Sequence, residues 1–339
     1  MKNLIPHSVI IGGVLLTIVL LLANLYFGAV HIPASAITNL LLGGEAERPA
    51  WAFILWENRL PQAITAMLSG AGLAAAGLML QTAFRNPLAG PSILGIDGGA
   101  NLGVAIAMLF LGGSFAAGGF SLSGFLLVIV AAMAGAWAVM AVLIAFSHVL
   151  RSNTMLLITG VMIGYLTSSL ISLLNYGATE EGVRSFMMWG LGSFANVTVD
   201  RLPAFCTTMG IGIVCALLLV KPLNALLLGE SYAANLGINV SRTRTMLLFT
   251  TGLLTATSTA FCGPIAFVGL AVPHIARLLL GTANHRTLLP ATLLTGACLA
   301  LVCNLISTIP SASVIPINVI TPILGAPVVI WVIMKMRKE

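Results

Sequence analysis

The segment Lys221–Arg244, KPLNALLLGESYAANLGINVSRTR, is a polar stretch between two long apolar runs, and it organises the rest of the chain. Within it, LLLGESYAANLG predicts one short amphipathic helix that ends at Gly237. The predicted apolar face holds Leu226, Leu227, Ala233 and Leu236, and the polar face holds Glu230, Ser231 and Asn235. Such a helix either contacts another protein in water or lies on the lipid headgroups, and its spacing leaves both interpretations open.

Composition assigns the chain to the membrane. Hydrophobic residues make up 59% of its 339 residues and charged residues only 7%, whereas soluble domains carry about 25% charged residues. A span needs about 20 apolar residues in a helix. We therefore predict one all-α polytopic domain over residues 1–339 with ten spans, at approximately 8–30, 59–83, 97–113, 121–148, 153–175, 201–220, 244–262, 265–281, 287–309 and 316–335.

The basic residues predict the orientation. Ten spans place both termini on one side, and if that side is cytoplasmic, 11 of the 15 Lys and Arg residues lie inside and 4 outside. Cytoplasmic loops favour Lys and Arg, so both termini and Lys221–Arg244 are predicted to be cytoplasmic, with Asp97 at the cytoplasmic mouth of the third span. The inside residues are Lys2, Arg85, Arg151, Lys221, Arg242, Arg244, Arg277, Arg286, Lys335, Arg337 and Lys338, and the outside residues are Arg48, Arg59, Arg184 and Arg201.

A short repeat indicates internal symmetry. Thr82–Ala89, TAFRNPLA, resembles Thr259–Ala266, TAFCGPIA, five spans later and therefore in the opposite orientation. Inverted repeats with Gly and Pro breaks at matching positions are typical of transporters. We expect repeats over about 51–175 and 244–339, with the segment 221–244 between them. The second span is rich in Gly, Ala and Ser, which predicts a helix packed inside the bundle.

Several classes of function are disfavoured. The chain has no GxxxxGK[ST] phosphate loop, no paired carboxylates, and no Cys or His at metal-ligand spacing, so we expect no catalysis, cofactor or metal site. The Lys and Arg residues form no stripe, which argues against nucleic-acid binding. An ion-gradient-driven secondary transporter is the alternative, but that class usually needs ionisable groups within its spans, and these spans have almost none.

Five motifs in order resemble one family. They are RNPLAGPSILG from Arg85, LLGESYAANLGI from Leu227, GPIAFVGLAVPHIAR from Gly263, the pair His285-Arg286, and LGAP from Leu324. The chain resembles the FecCD-type permeases, which are the membrane subunits of ATP-binding-cassette (ABC) importers for iron–siderophore complexes, haem and cobalamin. The resemblance runs from about Arg59 to the last span, and it does not choose among these ligands.

The resemblance implies an assembly. It implies ten helices per subunit in the bacterial inner membrane and a homodimer with the pathway at its interface. It also implies two ATP-binding subunits on the cytoplasmic side and a periplasmic substrate-binding protein above. The residues that match the family's ATPase-coupling motif favour the interpretation of the polar helix as a protein contact; they are Gly229, Glu230, Ala233, Leu236 and Gly237.

Other residues are assigned by position in the family pattern. Asn86 and Leu88, with Asn153 and Thr154, match positions near the cytoplasmic constriction of the pathway, and Arg59 matches an outward-facing position that pairs with the binding protein. The chain also departs from the pattern. Gln62, Val314, Asn318 and Asp97 stand where relatives usually have Arg, Glu, Gly and a small residue.

Overall fold

The computed structural model describes residues 5–45, 47–112, 114–117, 120–150, 152–309 and 314–336. Four basic residues that support the predicted orientation, Lys2, Arg151, Arg337 and Lys338, lie outside these ranges, as does Glu339.

Helices make up most of the described chain. In order they are α1 Ile5–Tyr26, α2 Ala34–Leu41, α3 Pro49–Phe53, α4 Leu60–Phe84, α5 Ile96–Ala105, α6 Gly124–Val149, α7 Asn153–Gly177, α8 Glu180–Gly190, α9 Leu202–Leu218, α10 Val220–Leu228, α11 Glu230–Asn235, α12 Val240–Cys262, α13 Val268–Leu280, α14 His285–Thr308 and α15 Ile317–Met336. Two π-helical stretches, Ile54–Arg59 and Ile106–Phe110, extend α3 and α5, and a 3₁₀ turn spans Phe194–Asn196.

The prediction of an all-α chain is correct except for one hairpin. Strand β1, Ser114–Ala117, pairs antiparallel with β2, Phe120–Ser123, between α5 and α6. The fourth predicted span accordingly begins at Gly124, not at residue 121.

Length and composition support fewer spans than ten. Among the described residues, six helices are long and apolar enough to cross a membrane, and a seventh span arises if α9 and α10, which meet at 47°, are counted together. The three remaining predicted spans coincide with the shorter apolar helices Ile96–Phe110, Val268–Leu280 and Ile317–Trp331. The ten-span count therefore stays a prediction, although each predicted span has a helix at its position.

Helix α4 is the centre of the bundle, which confirms the prediction made from its small residues. Almost all of its length is buried against α9, α12, α13 and α14. A Cβ atom on Gly70 would lie 2.2 Å from the carbonyl oxygen of Gly296, and one on Gly77 would lie 1.7 Å from that of Gly269. Only glycine permits helix backbones to approach this closely.

The helix containing the second predicted span begins earlier than expected. It starts at Pro49, at the first helical position, and runs through the π-helical stretch into α4, so that residues 49–84 form one long helix. Proline is favoured at this position because its missing N–H has no intrahelical acceptor there. Arg59 therefore lies inside the helix, not at its outer end.

Each copy of the short repeat, Thr82–Ala89 and Thr259–Ala266, crosses the end of a helix, and we call these two points the first and second breaks. Helix α4 ends at Phe84, where Arg85 adopts a left-handed conformation with φ 48°, and α12 ends at Cys262, where Gly263 has φ 79°. Thr82 and Thr259 lie in the last turns of these helices. The repeat boundaries 51–175 and 244–339 remain a prediction.

The chain turns back into the bundle after the first break. A Cβ atom on Gly95 would lie 2.9 Å from the carbonyl oxygen of Gly160, which lies two turns into α7. The start of α5 is therefore level with a point about two turns into α7, not with its first residue.

Candidate coupling and translocation site

The polar segment 221–244 forms two short helices, so the prediction of one continuous helix is wrong. Gly229 separates α10 from α11 with φ 119° and ψ 153°, a conformation open to glycine alone. The predicted stop is confirmed: Gly237 has φ 81°, and the Ile238 N–H donates to the Ala233 carbonyl over 3.1 Å. Asn239 then caps α12 by accepting from the Arg242 N–H over 2.9 Å.

The predicted apolar face of this segment is also wrong. Leu226 and Ala233 are buried within the chain, Ala233 completely. Leu227 is 39% exposed, and the most exposed large apolar side chains of the segment are Leu228, Tyr232 and Leu236, at 64%, 50% and 59%. The break at Gly229 rotates α11 relative to α10, which a single helical wheel does not anticipate. We call Leu228, Tyr232 and Leu236 the outer face of the segment.

An ion pair holds the segment against the spans. An Arg244 guanidinium nitrogen lies 2.7 Å from a Glu230 carboxylate oxygen, joining α11 to α12. The same guanidinium donates to the Ser147 carbonyl near the end of α6 over 3.3 Å. The movement of α11 is thus mechanically linked to two helices of the bundle.

The end of α4 contacts the segment at its hinge. The Arg85 guanidinium donates to the Leu226 carbonyl over 3.5 Å, and a Cβ atom on Gly229 would lie 2.8 Å from an Arg85 nitrogen. Sequence reasoning counted Arg85 only as a basic loop residue. Its place at the head of RNPLAG was the available signal.

A buried histidine makes the second link between α4 and α10. The His285 ring lies 2.8 Å from the Thr82 hydroxyl through Nε2 and 3.0 Å from the Asn224 amide oxygen through Nδ1. The backbone N–H of His285 also donates to that Asn224 side-chain oxygen over 2.8 Å. Three elements therefore converge on one imidazole: the last turn of α4, the middle of α10 and the start of α14.

The first pair of predicted gate residues forms a tight turn directly after Arg85. The Asn86 side-chain oxygen accepts from the Leu88 N–H over 2.9 Å, and the Ala89 N–H donates to the Asn86 carbonyl over 3.0 Å. The Leu88 side chain is 41% exposed. The turn is rigid because the side chain of Asn86 supplies one of its own hydrogen bonds.

The second pair lies at the start of α7. Asn153 is the first residue of this helix, its side chain lies outside what the structure describes, and Thr154 is exposed. Ser152 caps the helix by accepting from the Met155 N–H over 3.4 Å. Within the described residues no hydrogen bond joins Thr154 to the Asn86–Leu88 turn, so their common role as a gate remains a prediction.

Arg59 does not face outward. Its side chain is only 6% exposed, and its guanidinium donates to the carbonyls of Leu25 over 2.7 Å, Tyr26 over 3.1 Å, and Val30. These carbonyls lie at and just beyond the end of α1, where the last backbone acceptors of a helix lack intrahelical donors. The helix begins ten residues before Arg59, so Arg59 lies within the helix. Its guanidinium therefore hydrogen-bonds to these backbone oxygens instead of facing outward.

Asp97 lies deep in the bundle, so its predicted place at the cytoplasmic mouth is wrong. It is 9% exposed, and its two carboxylate oxygens accept from Ser92 Oγ over 2.5 Å and from Thr259 Oγ1 over 3.1 Å. Thr259 is in the last turn of α12, far along the helix from Val240. Asp97 thus joins the chain around the first break to the end of the helix before the second.

An open depression of about 560 Å³ lies beside Asp97, between α5 and α7. We call it the chamber. Its lining includes Asp97 and Asn101 from α5, Tyr165 and Ser168 from α7, and Pro264 from the second break. Ser168 lies 15 residues from the first residue of α7, a rise of roughly 22 Å along the helix. Val161, the lining residue nearest the start of α7, lies eight residues beyond Asn153, a rise of roughly 12 Å.

Comparison with known proteins identifies the family. The model of the FecCD transport family matches residues 15–335. The vitamin B12 import system permease protein BtuC of Klebsiella pneumoniae is 35% identical over 334 residues, covering 96% of this chain and 93% of that protein. The BtuC protein of Citrobacter koseri is 36% identical over 287 residues, covering 84% of each.

Solved structures agree in fold. A chain from an inward-facing conformation of a putative metal-chelate type ABC transporter superposes with a TM-score of 0.84 and 31% identity, covering 97% of this chain and 99% of its own. PsaBC from Streptococcus pneumoniae, in complex with Fab, gives a TM-score of 0.54 at 16% identity, over 80% of this chain and 89% of that one. The second likeness concerns the fold alone.

Proposed function

Because the chain belongs to the FecCD transport family, we propose that it is the membrane permease of an ABC importer that a separate ATP-binding subunit drives. Its lack of a phosphate loop means that energy must arrive through contact with another protein. Two such subunits would bind one homodimer of the permease, in the inner membrane with both termini cytoplasmic.

The outer face of segment 221–244 carries this proposal. Leu228, Tyr232 and Leu236 are exposed on a part of the chain that is predicted to be cytosolic. Exposed apolar side chains that lie together mark sites of protein contact. Beside them, an open depression of about 570 Å³ is lined by Lys221, Asn224, Leu228 and Arg286, which adds a basic rim. Gly229, Glu230, Ala233 and Gly237 then shape and hold the contact instead of making it.

The contacts of Arg85 and His285 supply the route from this face to the gate. Both residues join α10 to the end of α4, and the Asn86–Leu88 turn follows directly. Displacement of α10 by the ATPase would therefore move the turn. We propose that Asn86, Leu88, Asn153 and Thr154 close the pathway with small polar groups and a leucine, which exclude water without binding cargo.

The exposed side of α7 supports a second copy across the pathway. Ser168, Ser169 and Ser172 are exposed on this helix beside apolar residues such as Leu166, whereas the exposed residues of α1 from Ile11 to Leu22 are all apolar. Hydroxyl groups gain little from facing lipid but can line a water-filled path or a subunit contact. We assign α7 to the dimer and pathway side and α1 to the lipid side.

The cargo is proposed from the relatives. They are named as vitamin B12 import permeases, and the structural neighbour as a metal-chelate type transporter. We propose that this permease moves cobalamin or an iron chelate, siderophore or haem, from periplasm to cytoplasm. A periplasmic binding protein would dock on outer loops that carry exposed cations such as Arg48 and Arg184, since Arg59 is buried.

Reconstitution tests this function and its alternative. The permease, purified with its ATP-binding subunit and placed in liposomes with its binding protein, should take up cyanocobalamin or a ferric hydroxamate only with internal MgATP. Dissipating the proton and sodium gradients should leave the rate unchanged. Uptake that a gradient drives without ATP would instead establish the secondary-transporter alternative and contradict the proposal.

A further inference from the structure

Among the described residues near the two helix breaks, Asp97 is the acidic side chain that lies inside the bundle, and it lines the chamber. Asp97 is in the first turn of α5, beside the wall of α7 that contains Thr167 and Ser168. It also borders a smaller cavity of about 170 Å³ between the two breaks, lined by Pro91, Phe267 and Gly269 among others. A carboxylate at this depth requires a physical explanation, because burying a charge is costly.

Two hydrogen bonds offset part of the cost that burial imposes on the charge of Asp97. Each of its oxygens accepts a hydrogen bond from a hydroxyl group, Ser92 for one and Thr259 for the other. The N-terminal end of α5 adds the positive end of a helix dipole. Hydrogen bonds to an ionised acceptor are stronger than those between neutral groups.

In the described part of the chain, no cationic side chain forms an ion pair with Asp97. The salt bridge found there joins Arg244 to Glu230. Charges near low-dielectric walls act over longer distances than charges in water. The field of Asp97 therefore extends into the chamber. Asn101 lies one helical turn further along α5, and its side-chain oxygen is buried in the same lining without a hydrogen-bond partner.

We propose that Asp97 makes the chamber a charge filter, which admits neutral or cationic metal chelates and rejects anionic ones. Asn101, whose side-chain oxygen is buried, adds a polar residue to the chamber wall. This inference rests on the proposed transport function, because it assigns the chamber to the cargo pathway. It concerns the charge of the cargo, which family membership leaves open.

Charged thiol reagents measure the potential of the chamber without any cargo. Ser168 is exposed, lines the chamber, and becomes the target in Ser168→Cys. Two rates of modification of this cysteine are measured, one with a cationic trimethylammonium methanethiosulfonate and one with an anionic sulfonate methanethiosulfonate. The quantity compared is the ratio of the cationic rate to the anionic rate. Labelling of the native cysteines in the parent chain is subtracted. We expect this ratio to fall by about fivefold or more when Asp97→Asn is added.

Two controls keep the result specific. Ser172→Cys, one turn along α7 and outside the chamber lining, should show a smaller change in the ratio. Asp97→Ser gives a second neutral variant if Asp97→Asn folds poorly. An equal ratio with and without Asp97, or no modification of Ser168→Cys by either reagent, would overturn the inference.

A transport measurement separates this inference from the proposed function. In the reconstituted importer, Asp97→Asn should raise uptake of the anionic iron(III)–citrate complex relative to cyanocobalamin. An unchanged ratio of the two uptake rates defeats the charge filter alone. Failure of the parent protein to show any ATP-dependent uptake defeats the proposed function instead.

Discussion

Arg244, in the second turn of α12, donates a hydrogen bond to the carboxylate of Glu230, the first residue of α11, over 2.7 Å. The pair crosses the loop that contains Gly237, so it fixes the angle at which α11 leaves the bundle. Its two side chains are 14% and 39% exposed. An ion pair this open contributes on the order of 1 kcal/mol or less to stability, so its main effect is on geometry.

Breaking this pair should uncouple ATP hydrolysis from transport. Glu230→Gln keeps the size of the side chain and removes its charge, and we expect normal abundance, retained ATPase binding and fewer molecules imported per ATP hydrolysed. Both rates are measured in proteoliposomes. The charge exchange Glu230→Arg with Arg244→Glu should restore part of the loss. It restores only part because Arg244 also binds the Ser147 carbonyl. A normal import-to-hydrolysis ratio in Glu230→Gln would contradict the role.

Ala233 and Leu236 should respond in opposite ways to the same substitution. Ala233 is completely buried in the chain, so Ala233→Arg places an unpaired charge in the interior, at a cost of several kcal/mol, and should lower the abundance of the protein. Leu236 is 59% exposed, so Leu236→Arg should leave abundance normal and abolish co-purification of the ATP-binding subunit. Quantitative immunoblots of membranes and of pull-downs check both. Loss of the ATPase from an abundant Ala233→Arg protein would instead place Ala233 in the contact.

Bulk at the predicted gate should block passage without affecting assembly. Thr154 is exposed at the start of α7, so Thr154→Trp should fold, bind the ATPase and reduce cargo uptake by at least tenfold, while Thr154→Ser behaves normally. Asn86→Trp should also block uptake, although it removes the bond from the Leu88 N–H. Parental uptake in Thr154→Trp would remove this residue from the pathway.

The orientation is open to direct labelling. Ser241, in the first turn of α12, and Glu180, at the start of α8, are both exposed. Cysteine at 241 should react with a membrane-impermeant maleimide only after the cytoplasmic side is opened, and cysteine at 180 should react in intact cells with a permeable outer membrane. The 11-to-4 division of basic residues is the physical reason. Labelling of position 241 from outside would overturn the ten-span topology.

Composition predicted those features that depend on short stretches of chain. The long apolar runs give α1, α6, α7, α12 and α14 at their expected places, and Gly237 ends α11 as expected. The segment 221–244 was located correctly as a folded unit between spans. These predictions succeed because length, hydropathy and a single glycine determine them.

The failures all depend on contacts between distant segments. A helical wheel places Ala233 and Leu236 together, but Ala233 is completely buried, whereas Leu236, the residue that caps the C-terminal end of α11, is 59% exposed. Arg59 was expected at the surface, because the start of the helix at Pro49 was not recognised. Asp97 was expected at the cytoplasmic mouth, but its bond to Thr259 and the close approach of Gly95 to Gly160 show that the chain turns back into the bundle.

The most direct test of the account is to ask what protein touches the outer face of segment 221–244. A photo-crosslinking amino acid in place of Tyr232 should, on illumination of the native membrane, join the permease to a protein that binds ATP. The same group in place of Tyr176, which is 92% exposed at the predicted outer end of α7, should not capture it. An adduct with the ATP-binding subunit at position 232 alone is the predicted result. No adduct at 232, or equal capture at 176, would contradict the claim that this segment receives the energy for transport.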